Sequence, residues 1–73
     1  MIFRHRVKEF RLKRGWSQQE LGIRLGVTRQ TIISIESYRF NPSLELGMRL
    51  SLELDVPVDT LFFFDYPSIS APD

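Results

Sequence analysis

Cysteine is absent from this chain, and with it go disulfides and thiolate metal sites. The absence fits a reducing cytosol. No apolar run approaches the ~18 residues of a membrane span. The opening Met1-Ile2-Phe3-Arg4-His5-Arg6 has no apolar segment of signal-peptide length behind its charges, so the expected location is cytoplasmic, with no membrane partner. Histidine occurs once, at His5, without companions for a metal or an acid–base pair. Paired carboxylates, a nucleophile–base set and a phosphate-cradling glycine loop are also missing. An enzyme is therefore not expected, nor is a cofactor, a metal or a small-molecule ligand.

What is present fits one domain near the lower size limit for a single unaided core. It is expected over residues 1–66, with 67–73 (Ser, Ala and two prolines) as a frayed tail. The net charge of +1 conceals an asymmetry. From Met1 to Gln30 eight Lys/Arg stand against Glu9 and Glu20, a net of +6; from Thr31 to Asp73 two arginines stand against seven acids, a net of −5. One end faces a polyanion and the other is kept off it.

Residues 17–36 carry the organising pattern. Ser17 with Glu20 three residues on is a capping box, which starts a helix at Gln18. Leu21 and Leu25 share one face. Gly26 ends that helix in the left-handed conformation, and Thr28 caps a second, whose apolar positions Ile32 and Ile35 are again on one side. Two helices joined by a short glycine corner form a helix-turn-helix. Gly22 supplies the small residue needed where the backbones meet, and Ile32 the apolar plug behind them.

Val7 to Phe62 resembles the Cro/phage-repressor, or Xre, type of helix-turn-helix regulator. The matching motifs are Val7-Lys8-Glu9-Phe10-Arg11, Trp16-Ser17-Gln18-Gln19-Glu20-Leu21, Leu25-Gly26-Val27-Thr28-Arg29-Gln30-Thr31-Ile32, Ile35-Glu36 and Asn41-Pro42-Ser43-Leu44-Glu45-Leu46. They suggest the small single-domain repressors typified by the cytolysin repressor. The resemblance implies an all-α, five-helix, lambda-repressor-like domain, with room for a two-stranded pairing of the terminal segments. It also implies a partly buried ion pair between Arg11 and Glu36, and a sequence-specific transcriptional regulator, more in keeping with a repressor. The alternatives are the antitoxin of a toxin–antitoxin pair and a protein-interaction module that has abandoned DNA.

On that reading the helix over about 28–36 enters the major groove. Arg29 is suited to guanine and Gln30 to adenine, with Thr28 and Ser34 beside them. Ile33 is expected on the outer face. Gln18, Arg39, Asn41, Ser43 and Arg14 are the candidate phosphate contacts, and His5 a surface residue near phosphate at best. One helix reads about four base pairs, so a homodimer on an inverted-repeat operator is expected, its recognition helices ~34 Å apart.

The remaining expectations are structural. A first helix runs from about Arg4–Arg6 to Arg14 and stops at Gly15. Leu12 is an incidental exposed leucine or part of a partner surface. Tyr38 stands where the family commonly has glycine at positive φ, and strains or changes that turn. Phe40 tucks into the core. The fourth helix opens at Pro42-Ser43 and buries Leu44, Met48, Leu50, Ser51 and Leu54, with Gly47 in close contact with another helix; Leu46 and Leu52 suggest a second buried surface. A last helix over 57–62 turns Val58, Leu61 and Phe62 inward. Phe62-Phe63-Phe64-Asp65-Tyr66 exceeds what one small domain buries, so a strand pairing with Met1–Phe3 is expected, with Ile2, Phe62, Phe63, Phe64 and Tyr66 packing on a second copy.

Overall fold

The computed structural model describes residues 1–66; the tail expected over 67–73 lies outside the described residues. The order is β1 (Ile2–His5), α1 (Val7–Lys13), α2 (Gln18–Leu25), α3 (Arg29–Glu36), α4 (Leu44–Leu54), α5 (Val58–Leu61) and β2 (Phe62–Asp65). Five helices thus carry a small antiparallel sheet made from the two ends.

The helix-turn-helix follows from its local chemistry. Ser17 Oγ accepts from the Glu20 N–H, and Glu20 Oε1 from the Ser17 N–H, which closes the capping box of α2. Gly26, at φ 72°, ends α2 in the left-handed region. A Cβ on Gly22 would lie 2.9 Å from the Val27 carbonyl oxygen, so only glycine lets the turn pack this closely on α2. Thr28 Oγ1 accepts from the Thr31 N–H and caps α3. Arg49, reaching across from α4, donates to the Leu25 carbonyl at the C-terminus of α2. A cation there also offsets the negative end of the helix dipole.

Val7, Leu21, Leu25, Ile32, Ile35, Leu50, Leu54, Val56 and Leu61 form one buried cluster, with Phe10, Trp16, Val27, Leu46 and Phe62 packed around it. Five expectations change here. The chain is extended through His5, and α1 begins only at Val7. Pairing with β2 and the Arg6 N–H to Leu61 carbonyl bond (2.9 Å) outweigh the helical propensity of Arg4-His5-Arg6. On α4 the buried side carries Gly47, Leu50 and Leu54, whereas Leu44 (79 % exposed) and Met48 point out. The partner of Gly47 is the Phe62 ring from β2, not another helix; a Cβ there would sit at an ordinary 3.5 Å. Leu46 and Leu52 do not share a surface, since Leu46 packs on the core and Leu52 is exposed. Val58 is also largely exposed, because α5 is a single turn that buries only Leu61. Asp55 itself takes the left-handed position, φ 57°, at the end of α4.

In the sheet Ile2 faces Asp65, Phe3 faces Phe64, Arg4 faces Phe63 and His5 faces Phe62. Period-2 alternation puts Phe3, His5, Phe62 and Phe64 on one face. Their rings meet at centroid distances of about 6.0 Å, with Phe3 and Phe62 stacked at 11°. Cross-strand aromatic pairs of this kind, worth about 0.2–1 kcal/mol each, help hold so short a sheet.

Candidate nucleic-acid interface

Ile32 and Ile35 pin one side of α3 into the core, which turns Thr28, Arg29 and Gln30 to solvent at its N-terminal end. Ser34 follows one turn later, half-buried. Ile33 is half-buried too rather than fully outward. Among the described residues Arg29 forms no ion pair, so its guanidinium is unengaged by carboxylate. The Thr28 hydroxyl is tied to the cap and lies 3.0 Å from Thr31 Oγ1.

Beside this row the sequence reading missed a neighbour. Phe40, expected in the core, is 46 % exposed. It lines a shallow hollow of about 320 Å³ together with Thr28, Gln30, Thr31 and Ser34. Its backbone N–H donates to the Ser34 carbonyl, as does that of Arg39, so the end of α3 fixes where the ring stands. No local pattern in the sequence signals this, because the chain reverses at Tyr38.

Tyr38 occupies the glycine-type position at φ 64°. Its ring stacks on His5 at 4.4 Å and 18°, while its hydroxyl donates to the His5 carbonyl and accepts from the His5 N–H, both at 3.2 Å. These contacts offset the cost of a left-handed tyrosine. His5 is accordingly a joint between β1 and α3 rather than a surface residue. Its Nε2 lies 2.9 Å from the Ile35 carbonyl and must donate to it, while Nδ1 accepts from the Val7 N–H at 3.4 Å. Burial holds the imidazole below its usual value of 6.5, against the opposing pull of the Ile35 hydrogen bond and the Glu36 charge.

Glu36 anchors the other side of α3. Arg11 Nε and Nη2 reach its two carboxylate oxygens at 2.7 and 3.1 Å, and Nη1 donates to the Trp16 carbonyl at 2.8 Å. The two side chains are only 7 and 6 % exposed. Gln18 Nε2 joins at 3.1 Å from Glu36 Oε1, so the amide expected on phosphate is committed to this network. Arg14 also leaves its expected place: it donates to the Leu54 carbonyl at 3.1 Å and lies 3.8 Å from Asp55, at the far end of α4. The exposed carbonyl end of a helix attracts it there. Arg24 pairs with Glu53 at 3.5 Å and covers the Trp16 ring. Arg39 and Asn41 remain exposed in the loop, and Ser43 caps α4 through the Leu46 N–H.

On the sheet and just after it Ile2, Phe64 and Tyr66 are exposed, while Phe62 and Phe63 are half-buried. The Arg6 guanidinium lies 5.0 Å from the centroid of the Phe63 ring. Phe3, Pro42, Leu44, Gly47, Val58 and Phe62 line an apolar hollow of about 190 Å³ on this side. Among the described residues no cluster of His, Asp and Glu could hold a metal, and no helix is long and apolar enough to cross a membrane.

Comparison with known proteins agrees with this geometry. The chain is 40 % identical over 62 residues to an uncharacterised HTH-type transcriptional regulator of Archaeoglobus fulgidus, covering 85 % of this chain and 89 % of that one. It is 39 % identical over 57 residues to the HTH-type transcriptional regulator SinR of Bacillus subtilis, covering 77 % of this chain but only 51 % of SinR. Among solved structures it resembles a hypothetical transcription factor from Neisseria, with a TM-score of 0.70 and 30 % identity over 74 % of this chain and 61 % of that one. The chain thus spans about half of SinR and less than two thirds of the Neisseria protein. The family HTH_3, helix-turn-helix, matches residues 7–61. With its capped helix pair, glycine corner and outward polar row on α3, the chain belongs to this Cro/C1-type family of helix-turn-helix transcriptional regulators.

Proposed function

We propose that this protein is a sequence-specific repressor that binds an inverted-repeat operator as a homodimer, with α3 in the major groove. The observation that carries the reading is the outward row of Thr28, Arg29 and Gln30, with Ser34 one turn on, on a helix whose other side is locked into the core. Arg29 spans O6 and N7 of guanine, and Gln30 spans N6 and N7 of adenine. Arg39 and Asn41, exposed in the following loop, hold phosphate and set the register. The Gln18 amide and Arg14 contribute to phosphate only if they leave their present partners.

The second copy docks on the apolar region beside the sheet. Leu44 and Val58, which line the apolar hollow, are exposed, as are Ile2 and Phe64 on the strands and Tyr66 after β2. Covering them removes apolar surface that water disfavours, and twofold pairing gives the two recognition helices their spacing.

Selection of bound duplexes from a random pool, at two salt concentrations, tests this. The expected product is an inverted repeat whose enrichment relaxes at one position per half-site in Arg29→Ala. Salt-sensitive binding without any preferred sequence would overturn it.

A further inference from the structure

We infer that Phe40 is a specificity-determining residue of the proposed interface and reads the C5-methyl group of a thymine. The inference rests on the reading of α3 as a base-reading helix and deepens it. Phe40 is the aromatic member of a hollow that it lines with Thr28, Gln30, Thr31 and Ser34. Phe40 is 46 % exposed and stands outside the buried cluster. Its position is not left to a flexible loop. The N–H groups of Tyr38, Arg39 and Phe40 all donate to the last carbonyls of α3, at 3.0, 2.9 and 3.2 Å. Tyr38 is in turn held by His5.

A phenyl ring offers no hydrogen bond to phosphate or to a base edge. In the major groove the apolar group presented by a base pair is the thymine methyl. An adenine taken by Gln30 brings its thymine partner into the same stretch of groove, so one A·T pair, or its neighbour, is read twice: by hydrogen bonds and by shape. Desolvating one methyl group against the ring is worth about fourfold in affinity.

The test uses the operator selected by the wild-type protein. Each thymine is replaced in turn by deoxyuridine, which removes only the methyl group. Affinities are then measured for wild type, Phe40→Ala and Phe40→Leu. The wild type is expected to lose about fourfold at one thymine per half-site. Phe40→Ala should show no loss at that thymine, and Phe40→Leu, which keeps an apolar contact, an intermediate one. Thermal unfolding of both variants should stay close to wild type, since the ring lies outside the core. A Phe40→Ala protein that binds every sequence more weakly, with the deoxyuridine penalty unchanged, would make the ring a backbone spacer and overturn the inference alone. If the wild type selects no sequence, the proposed function falls, and this inference with it.

Discussion

Arg29 and Arg39 carry the same charge, yet their surroundings ask different things of them. Arg29 stands in the first turn of α3, which on the proposed reading lies against base edges; Arg39 stands in the loop beyond it. Arg29→Ala should therefore cost about 1–3 kcal/mol on the selected operator and much less on operators changed at that base pair. Arg39→Ala should weaken all sequences alike and lower the salt dependence by about one counterion. Titrations against matched and mismatched duplexes separate the two. Glu36 tests the interior. Its carboxylate holds Arg11 and Gln18 in a nearly solvent-free site, so Glu36→Ala strands the Arg11 guanidinium. The expected loss is about 3–5 kcal/mol in chemical denaturation. Arg11→Met combined with Glu36→Leu should recover much of it, because both charges leave together.

Between elements, two glycines make opposite forecasts. Gly22→Ala drives a methyl group to 2.9 Å from the Val27 carbonyl, so α2 and the turn before α3 must separate. A loss of about 1–3 kcal/mol is expected in the melting transition, with weaker operator binding because α3 shifts. Gly47→Ala meets only the edge of the Phe62 ring at 3.5 Å, an ordinary contact, and gains up to about 1 kcal/mol of helix propensity. A destabilised Gly47→Ala protein would contradict this packing. The joint between β1 and α3 is also pH-sensitive. Since the folded value of His5 lies below 6.5, the neutral ring is favoured in the folded state. That stability is fully present above about pH 6.5 and is lost as the pH falls through the lower folded value. Melting temperatures should drop between pH 7.5 and 5.5 in the wild type, and less so in His5→Gln.

Taken whole, the molecule carries an exposed apolar region beside the sheet as well as the polar row on α3. Residues 1–30 are net +6 and residues 31–73 net −5, an asymmetry that on the proposed reading orients the protein on a polyanion. The apolar region collects side chains from α4, α5 and both strands. Leu44→Glu with Phe64→Glu should leave the far-ultraviolet spectrum unchanged, because both residues are exposed in the single subunit. In sedimentation the double variant should be monomeric at concentrations where the wild type is a dimer. A wild type that sediments as a monomer on operator DNA would remove the homodimer from the proposal.

The helix-turn-helix was legible from the sequence because its determinants act over a few residues. The Ser17–Glu20 box, the left-handed Gly26, the Thr28 cap and the apolar spacing of α2 and α3 are each stabilised by neighbours one turn away. The terminal strand pairing was also readable, since the apolar Met1–Phe3 segment and the Phe62–Phe64 run have few other ways to lose water. The way α4 faces, by contrast, was decided when Phe62 filled the space beside Gly47 and left Leu44 and Met48 outside. Likewise Arg49 on Leu25, His5 on Ile35 and Tyr38 on His5 join residues 24, 30 and 33 apart. Phe40 was misread for the same reason, as its position follows from a left-handed Tyr38 whose ring is held by the distant His5. Local hydrogen bonds and caps exist for a segment on its own; these long-range contacts have no energy until the packed chain brings their partners together.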